Sequence, residues 1–316
     1  MRKRGLCLLL LVASVFIWVL CLNPLSSQEM NYEQFFEYRK EARRNMTMDG
    51  WHPREVPWWY DALSQKVKGW DTVLTEHYAV HTNIGLNKTY YLVSQVERMT
   101  NVYTDIFEKE FGLPPVAEHL LPATIQVFGS KKSWDEYKRA TSSIPAWAEG
   151  YVERIFEEVV CCAEIKDIEG KVFHECFHHW LLSYLGFHFG DKDPPNWLNE
   201  GLAEYFETMI LGKGGRPILG SKCAWLPGLK KKIKKGEIRS LKEIIKTHRN
   251  WECDESWGIA HFLMHSRGGE RRRLIGDYIK RLMQGENHIK AFEAVFGSDY
   301  ASLEKEWKQY ILSLRG

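Results

Sequence analysis

Five positions, His174-Glu175-x-x-His178, restrict this chain more than any other stretch, because they carry chemistry only if the backbone around them is an α-helix. On a helix, residues i and i+4 stand one above the other on one face, so both imidazoles can converge on one ion while Glu175 projects beside them. The flanking residues suit a helix: Val172, Phe173, Phe177, Trp180, Leu181 and Tyr184 supply an apolar surface, and Gly186 marks its end. His179 adjoins the motif but faces another way. Alone, the pattern is equally met by two structural histidines. A second segment, Pro195-Asn196-Trp197-Leu198-Asn199-Glu200-Gly201-Leu202-Ala203-Glu204-Tyr205, changes the balance. Catalytic zinc takes three protein ligands and keeps one position open. Glu200, on a second helix after a loop, completes a His₂Glu set with His174 and His178, and Zn2+ is the expected cofactor.

The rest of the chain predicts an α+β fold, with a small mixed β-sheet and helices followed by a mainly helical C-terminal half. Tyr78–Thr82, Ala123–Phe128, Gly150–Arg154 and Phe156–Ala163 read as strands, and Tyr91–Phe111 and Lys132–Arg139 as helices. After residue 167 the pattern is almost wholly helical. Residues 29–75, with a helix over Tyr32–Arg44 and a break at Pro57-Trp58-Trp59, form a lead-in to one domain spanning 76–316.

Residues 1–28 read as an export segment: Arg2, Lys3 and Arg4 precede an uncharged apolar run from Leu6 to Leu22. The run is long for a cleaved signal peptide and short of the roughly 20 residues of a comfortable membrane span. A cleaved signal and an uncleaved anchor through residues 6–22 both stand, and either exports the rest of the chain. Asn45-Met46-Thr47 and Asn87-Lys88-Thr89 fit the glycosylation pattern of exported chains. Seven cysteines without a CxxC spacing give neither a thiolate zinc site nor a dense disulfide framework; buried free thiols are the expectation, with Cys223–Cys253 as the alternative pair. A formal charge of +2 lacks the basic footprint of a nucleic-acid partner. The lysines around Ile233 and the run Arg271–Arg273 read as solvated helix faces.

Trp197-Leu198-Asn199-Glu200-Gly201-Leu202-Ala203 resembles the WLNEG-[FL]-A segment of zinc aminopeptidases and the NExxx-[DE] helix of thermolysin-like enzymes. Over roughly residues 70 to 270 the chain resembles the peptidase MA-like family, a gluzincin group. The resemblance implies a zincin-like fold built on the HExxH helix and zinc-dependent hydrolysis of a peptide or protein substrate. His174, His178 and Glu200 would be ligands and Glu175 the general base. It also implies a carboxylate at Glu204 that orients a ligating imidazole, against the simpler reading of a solvated helix residue. Aminopeptidases of this clan place an oxyanion-stabilising Tyr where this chain has Cys253, a weaker donor. Tyr151 and His261 are the expected substitutes. The GxMEN strand that binds a free α-amine is absent, so exopeptidase activity is not implied. The Cys253 departure sustains a rival: a catalytically weak or inactive scaffold that binds peptides or partner proteins.

Overall fold

Three strands in this chain are buried along their whole length, polar residues included, and those three lie at the centre of the sheet. The computed structural model describes residues 68–113, 123–141, 145–153, 158–185, 194–211, 217–218, 224–247 and 253–315. The expected export segment, the 32–44 helix, the Pro57-Trp58-Trp59 break, Asn45 and Cys223 lie outside them. Every residue of β2 (Tyr78–Thr82), β3 (Ala123–Phe128) and β5 (Glu158–Cys162) is buried. Strands covered on both faces need no polar alternation, which is the signature of parallel pairing. β2 pairs with β3, and β3 with β5, in parallel. β1 (Asp71–Leu74) and β4 (Gly150–Glu153) flank them antiparallel, giving the order β1-β2-β3-β5-β4.

β1 falls in the segment assigned above to the lead-in. Its four residues alternate between half-buried and exposed, too short a pattern to stand out in the sequence. The compact unit accordingly begins at Trp70.

Parallel neighbours require crossovers, and helices supply them. α1 (Leu86–Thr104) joins β2 to β3 and buries Leu92, Val93, Val96, Met99 and Tyr103, spaced to line one helical face. Its last turn widens over Asp105–Glu110 and stops at Gly112, whose φ of +63° is a conformation glycine adopts without steric cost. α2 (Lys131–Thr141) lies between β3 and the β4–β5 hairpin. α3 (Ile168–Leu185) then returns across the sheet and carries His174, Glu175 and His178 in its middle turns.

The sheet has two differently used faces. On one, Gly150, Val152, Val159 and Cys161 meet α3, and the joint core includes Val172, Phe173, Cys176 and Phe177. Tyr103 links α1 to α3: its hydroxyl donates to the Phe173 carbonyl at 2.7 Å. On the other, Phe128 packs on Trp134 and Tyr137 of α2, and Trp70 stacks on His81 at 4.7 Å.

The C-terminal half is helical, as expected. α4 (Asn196–Glu207) starts after Pro195 and is followed by a two-stranded ribbon, β6 (Ile210–Leu211) and β7 (Pro217–Ile218). Then come α5 (Trp225–Lys235), α6 (Leu241–Lys246), α7 (Cys253–His265), α8 (Arg272–Met283), α9 (His288–Phe296) and α10 (Tyr300–Ser313). Trp197, Trp257, Tyr278, Phe292 and Trp307 are buried among them. Each buried aromatic contributes about 1.5–3 kcal/mol over exposure.

The α4–α7 crossing is closest at Gly201, where an added Cβ would sit 2.4 Å from the Ser256 carbonyl oxygen and 3.1 Å from Ala260 Cβ. The first turn of α7 is itself pinned. Glu255, almost fully buried, accepts from Arg239 Nε at 2.7 Å and from the Arg239 backbone N–H at 3.2 Å.

Candidate metal centre

Two consecutive helices supply the site. α3 buries Phe173, Cys176, Phe177 and Trp180 against the sheet and α1, which turns its 174/178 stripe towards α4. α4 buries Trp197, Leu198, Leu202 and Phe206, and the Gly201 crossing on α7 brings the preceding residue, Glu200, over that stripe. His174 Nε2 and His178 Nε2 are 3.0 Å apart, and Glu200 Oε2 is 3.6 Å from each. Donors around a tetrahedral zinc, with bonds of about 2.0–2.1 Å, would be separated by about 3.3 Å. The three donor atoms therefore already approximate one face of such a polyhedron, and the residues fit the ion.

The outer nitrogens are held as well. His178 Nδ1 lies 2.9 Å from Asn199 Oδ1 and donates to it. His174 Nδ1 is 2.7 Å from Glu207 Oε2, close but poorly aligned for a straight hydrogen bond. A carboxylate and an amide oxygen both accept, so in a neutral ring each Nδ1 carries the proton and each Nε2 is left with its lone pair. Two lone pairs and a carboxylate oxygen converge on one point. Only a cation satisfies all three, whether a metal ion or a proton on one ring.

The charges respond accordingly. Burial disfavours ionised Glu200, but the His178 charge and contacts with both imidazoles hold its carboxyl well below the ordinary range. Burial would lower the His174 pKa, yet Glu200, Glu207 and the Glu175 charge raise it well above the usual imidazole value. Glu175 is buried, and burial lifts its pKa against the opposing His174, His178 and Lys171 charges. An elevated carboxyl pKa suits a group that must accept and then release a proton near neutrality. Gly150 of β4 lies directly over it: a Cβ there would fall 2.9 Å from Glu175 Cγ and 3.0 Å from Oε1.

Of three further residues expected from the sequence, Tyr151 and His261 stand elsewhere and Glu204 lies beside His174 with a different hydrogen-bond partner. Tyr151 follows Gly150 on β4, and successive strand residues point to opposite faces. Because the Cβ direction at Gly150 leads into Glu175, that of Tyr151 leads away from it. His261 is on α7 but one residue round from Ala260, about 100° of helix, and its Nδ1 meets the Tyr310 hydroxyl at 2.9 Å. Its ring packs near Tyr205 and His265 at the junction of α4, α7 and α10. Glu204 is buried near the site, but its Oε2 accepts from Trp225 Nε1 at 2.7 Å, and the carboxylate against His174 is Glu207. Glu204, Glu207, Phe173, Tyr91 and Trp225 line a cavity of about 590 Å3 on that side. Cys253 is a free thiol, and burial together with the Glu204 and Glu200 charges keeps it protonated.

The sequence reading missed Glu207. Its signal was available: on α4 it lies two turns after Glu200, on the same face. No protein-family model matches the chain, and no curated protein matches it.

Proposed function

We infer that this chain is a zinc-dependent peptidase of the gluzincin type, with a zincin-like arrangement in which His174, His178 and Glu200 hold Zn2+ and Glu175 is the general base. The observation that carries the reading is the convergence of two imidazole Nε2 atoms and one carboxylate oxygen at separations of 3.0 to 3.6 Å. The chemistry a bound Zn2+ supplies is Lewis acidity towards a water and the scissile carbonyl. With the ion held, Glu175 would be the group that takes a proton from the attacking water and hands it to the leaving amine. Gly150, without a side chain, leaves the Glu175 carboxylate room beside β4, the last strand of the sheet. A peptide or protein is the substrate, and the basic, apolar N-terminal sequence supports a reaction outside the cytoplasm. No helix among the described residues is long and apolar enough to cross a membrane.

A second reading, a metal-binding scaffold that holds peptides or partner proteins without cutting them, is favoured by one observation. The oxyanion donors expected at Tyr151 and His261 point elsewhere, and Cys253 offers only a protonated thiol. Both readings face one experiment. Residues 29–316, purified without chelator, are assayed for zinc and for cleavage of a broad peptide library, beside His174→Ala, Glu200→Ala and Glu175→Gln. The peptidase reading expects one zinc per chain, lost in the first two variants and kept in Glu175→Gln, with turnover abolished in all three. Zinc binding without cleavage selects the scaffold, and cleavage retained by Glu175→Gln overturns the assigned base.

A further inference from the structure

Glu207 is reached by two cationic or potentially cationic groups at the same oxygen. Oε2 lies 2.7 Å from His174 Nδ1 and 3.0 Å from Lys171 Nζ, and all three side chains are at least three-quarters buried. Lys171 stands one turn before His174 on α3, so His174 and the lysine share a helix face and a carboxylate partner on α4. The meeting is built by two glycines. At Gly170 a Cβ would fall 2.8 Å from the Glu207 carbonyl oxygen, so its absence lets the end of α4 settle on the start of α3. At Gly150 a Cβ would fall 3.0 Å from Lys171 Cγ, so its absence gives the lysine stem its channel beneath β4.

His174, Glu204 and Glu207 could also be grouped as a second cation site. The Lys171 ammonium already supplies the positive charge that Glu207 would seek there, and Glu204 is engaged by Trp225.

We propose that Lys171 is a positioning residue for the metal centre: it tethers Glu207, and Glu207 fixes the His174 ring with Nδ1 protonated and Nε2 aimed at the ion. This rests on the metal-site reading above and adds to it a role for a residue that touches neither ion nor substrate. The idea has an unusual sign. A lysine near a metal site repels the cation, so by plain electrostatics its removal tightens binding. If Lys171 acts through Glu207, its removal weakens binding instead.

The test measures zinc dissociation constants by competition with a chelator for the wild type, Lys171→Met, Lys171→Arg, Glu207→Gln and the Lys171→Met/Glu207→Gln pair. The visible spectrum of the cobalt-loaded proteins reports ligand geometry independently of activity. Losing a carboxylate that orients a ligating histidine costs about 10–100-fold in metal affinity, and that is expected of Glu207→Gln. Lys171→Met is expected to weaken binding by about 10-fold, the double variant to resemble Glu207→Gln alone, and Lys171→Arg to return close to wild type. Should methionine at 171 prevent folding, Glu207→Gln and Lys171→Arg keep the same readouts.

Lys171→Met binding zinc as tightly as wild type or more so, or losses that simply multiply in the double variant, would overturn the proposal while leaving the metal site intact. Two zinc ions per wild-type chain, one of them lost in Glu207→Gln, would overturn it in favour of the second cation site. A wild type that takes up no zinc would remove the metal-site reading and this inference together.

Discussion

Gly201→Ala tests whether the α4–α7 crossing holds Glu200 in place. The new Cβ would lie 2.4 Å from the Ser256 carbonyl oxygen and 2.9 Å from its carbon, both backbone atoms in a turn of α7 anchored by Glu255 and Arg239. No side chain can swing away there, so the helices must part by most of an ångström. Overpacking of this kind costs about 1–3 kcal/mol, and contact with backbone puts it near the top of that range. Alanine returns about 1 kcal/mol of helix propensity, leaving a net loss of about 2 kcal/mol. For a unit of this size that is about 4–8 °C in Tm. Because Glu200 immediately precedes the strained residue, the displacement should also lower zinc affinity by about 10-fold or more, as loss of ligand geometry does. Gly228→Ala is the control: it lies in α5 with nothing within 4 Å of the added Cβ, and should gain up to about 1 kcal/mol. Thermal melts of the zinc-free proteins and chelator competition on both variants give the two numbers. If Gly201→Ala is as benign as Gly228→Ala and binds zinc like the wild type, the crossing does not position Glu200 and the reasoning fails.

Gly150→Ala should reduce peptide turnover by about 100-fold, the scale of an ångström-sized misplacement of a reacting group, and zinc affinity by no more than about 10-fold, because its Cβ would meet Glu175 and the Lys171 stem but none of His174, His178 and Glu200; steady-state kinetics beside a zinc titration checks it, and a loss of metal as large as the loss of turnover would refute it. His265, beside Tyr205 and near Arg272, has its pKa lowered from 6.5 to about 4, by burial first and by the Arg272 charge second. Between those values the unfolded chain takes up a proton that the folded chain refuses, so stability falls as pH drops from about 6.5 to about 4. The full difference corresponds to about 3 kcal/mol, and solvent screening of a partly exposed ring reduces it to about 1–2 kcal/mol. Denaturant unfolding at pH 7 and pH 4.5 should show a smaller drop for His265→Gln than for wild type; an unchanged drop would remove His265 from the account.

The sequence carried the parts of this structure that depend on local periodicity. His174 and His178 share a face because any helix puts i and i+4 together, and the central strands show as short β-rich runs, the β-branched Ala123–Phe128 and the stretch around Val159 and Val160 among them. What it did not carry depends on how elements meet. Glu204 and Glu207 are both near the face of Glu200, and only the seating of α4 on α3, where Gly170 admits the Glu207 carbonyl, decides which carboxylate reaches His174. Tyr151 looked suitable by its chemistry, but the pairing of Gly150 with Cys161 sets the parity of β4 and turns the phenol away. His261 likewise belongs to a contact with Tyr310, distant in sequence and invisible to any local pattern. β1 has too few residues to show a period.

The parity of β4 and β5 also sorts the chain's substitutions into two inheritances. Gly150, Val152, Val159 and Cys161 face the helix that bears His174, Glu175 and His178, while the sheet's other side answers to α2 and Trp70. A lineage can redraw the second face, exchanging Trp134, Tyr137 or Phe128 for other bulky partners, and pay only in stability. Changes on the first face alter the placement of Glu175 and the two imidazoles as well as the core. Bulky replacements on the aromatic side would therefore register in stability alone, so two such sheets could differ at every second strand residue and still place His174 and Glu175 alike.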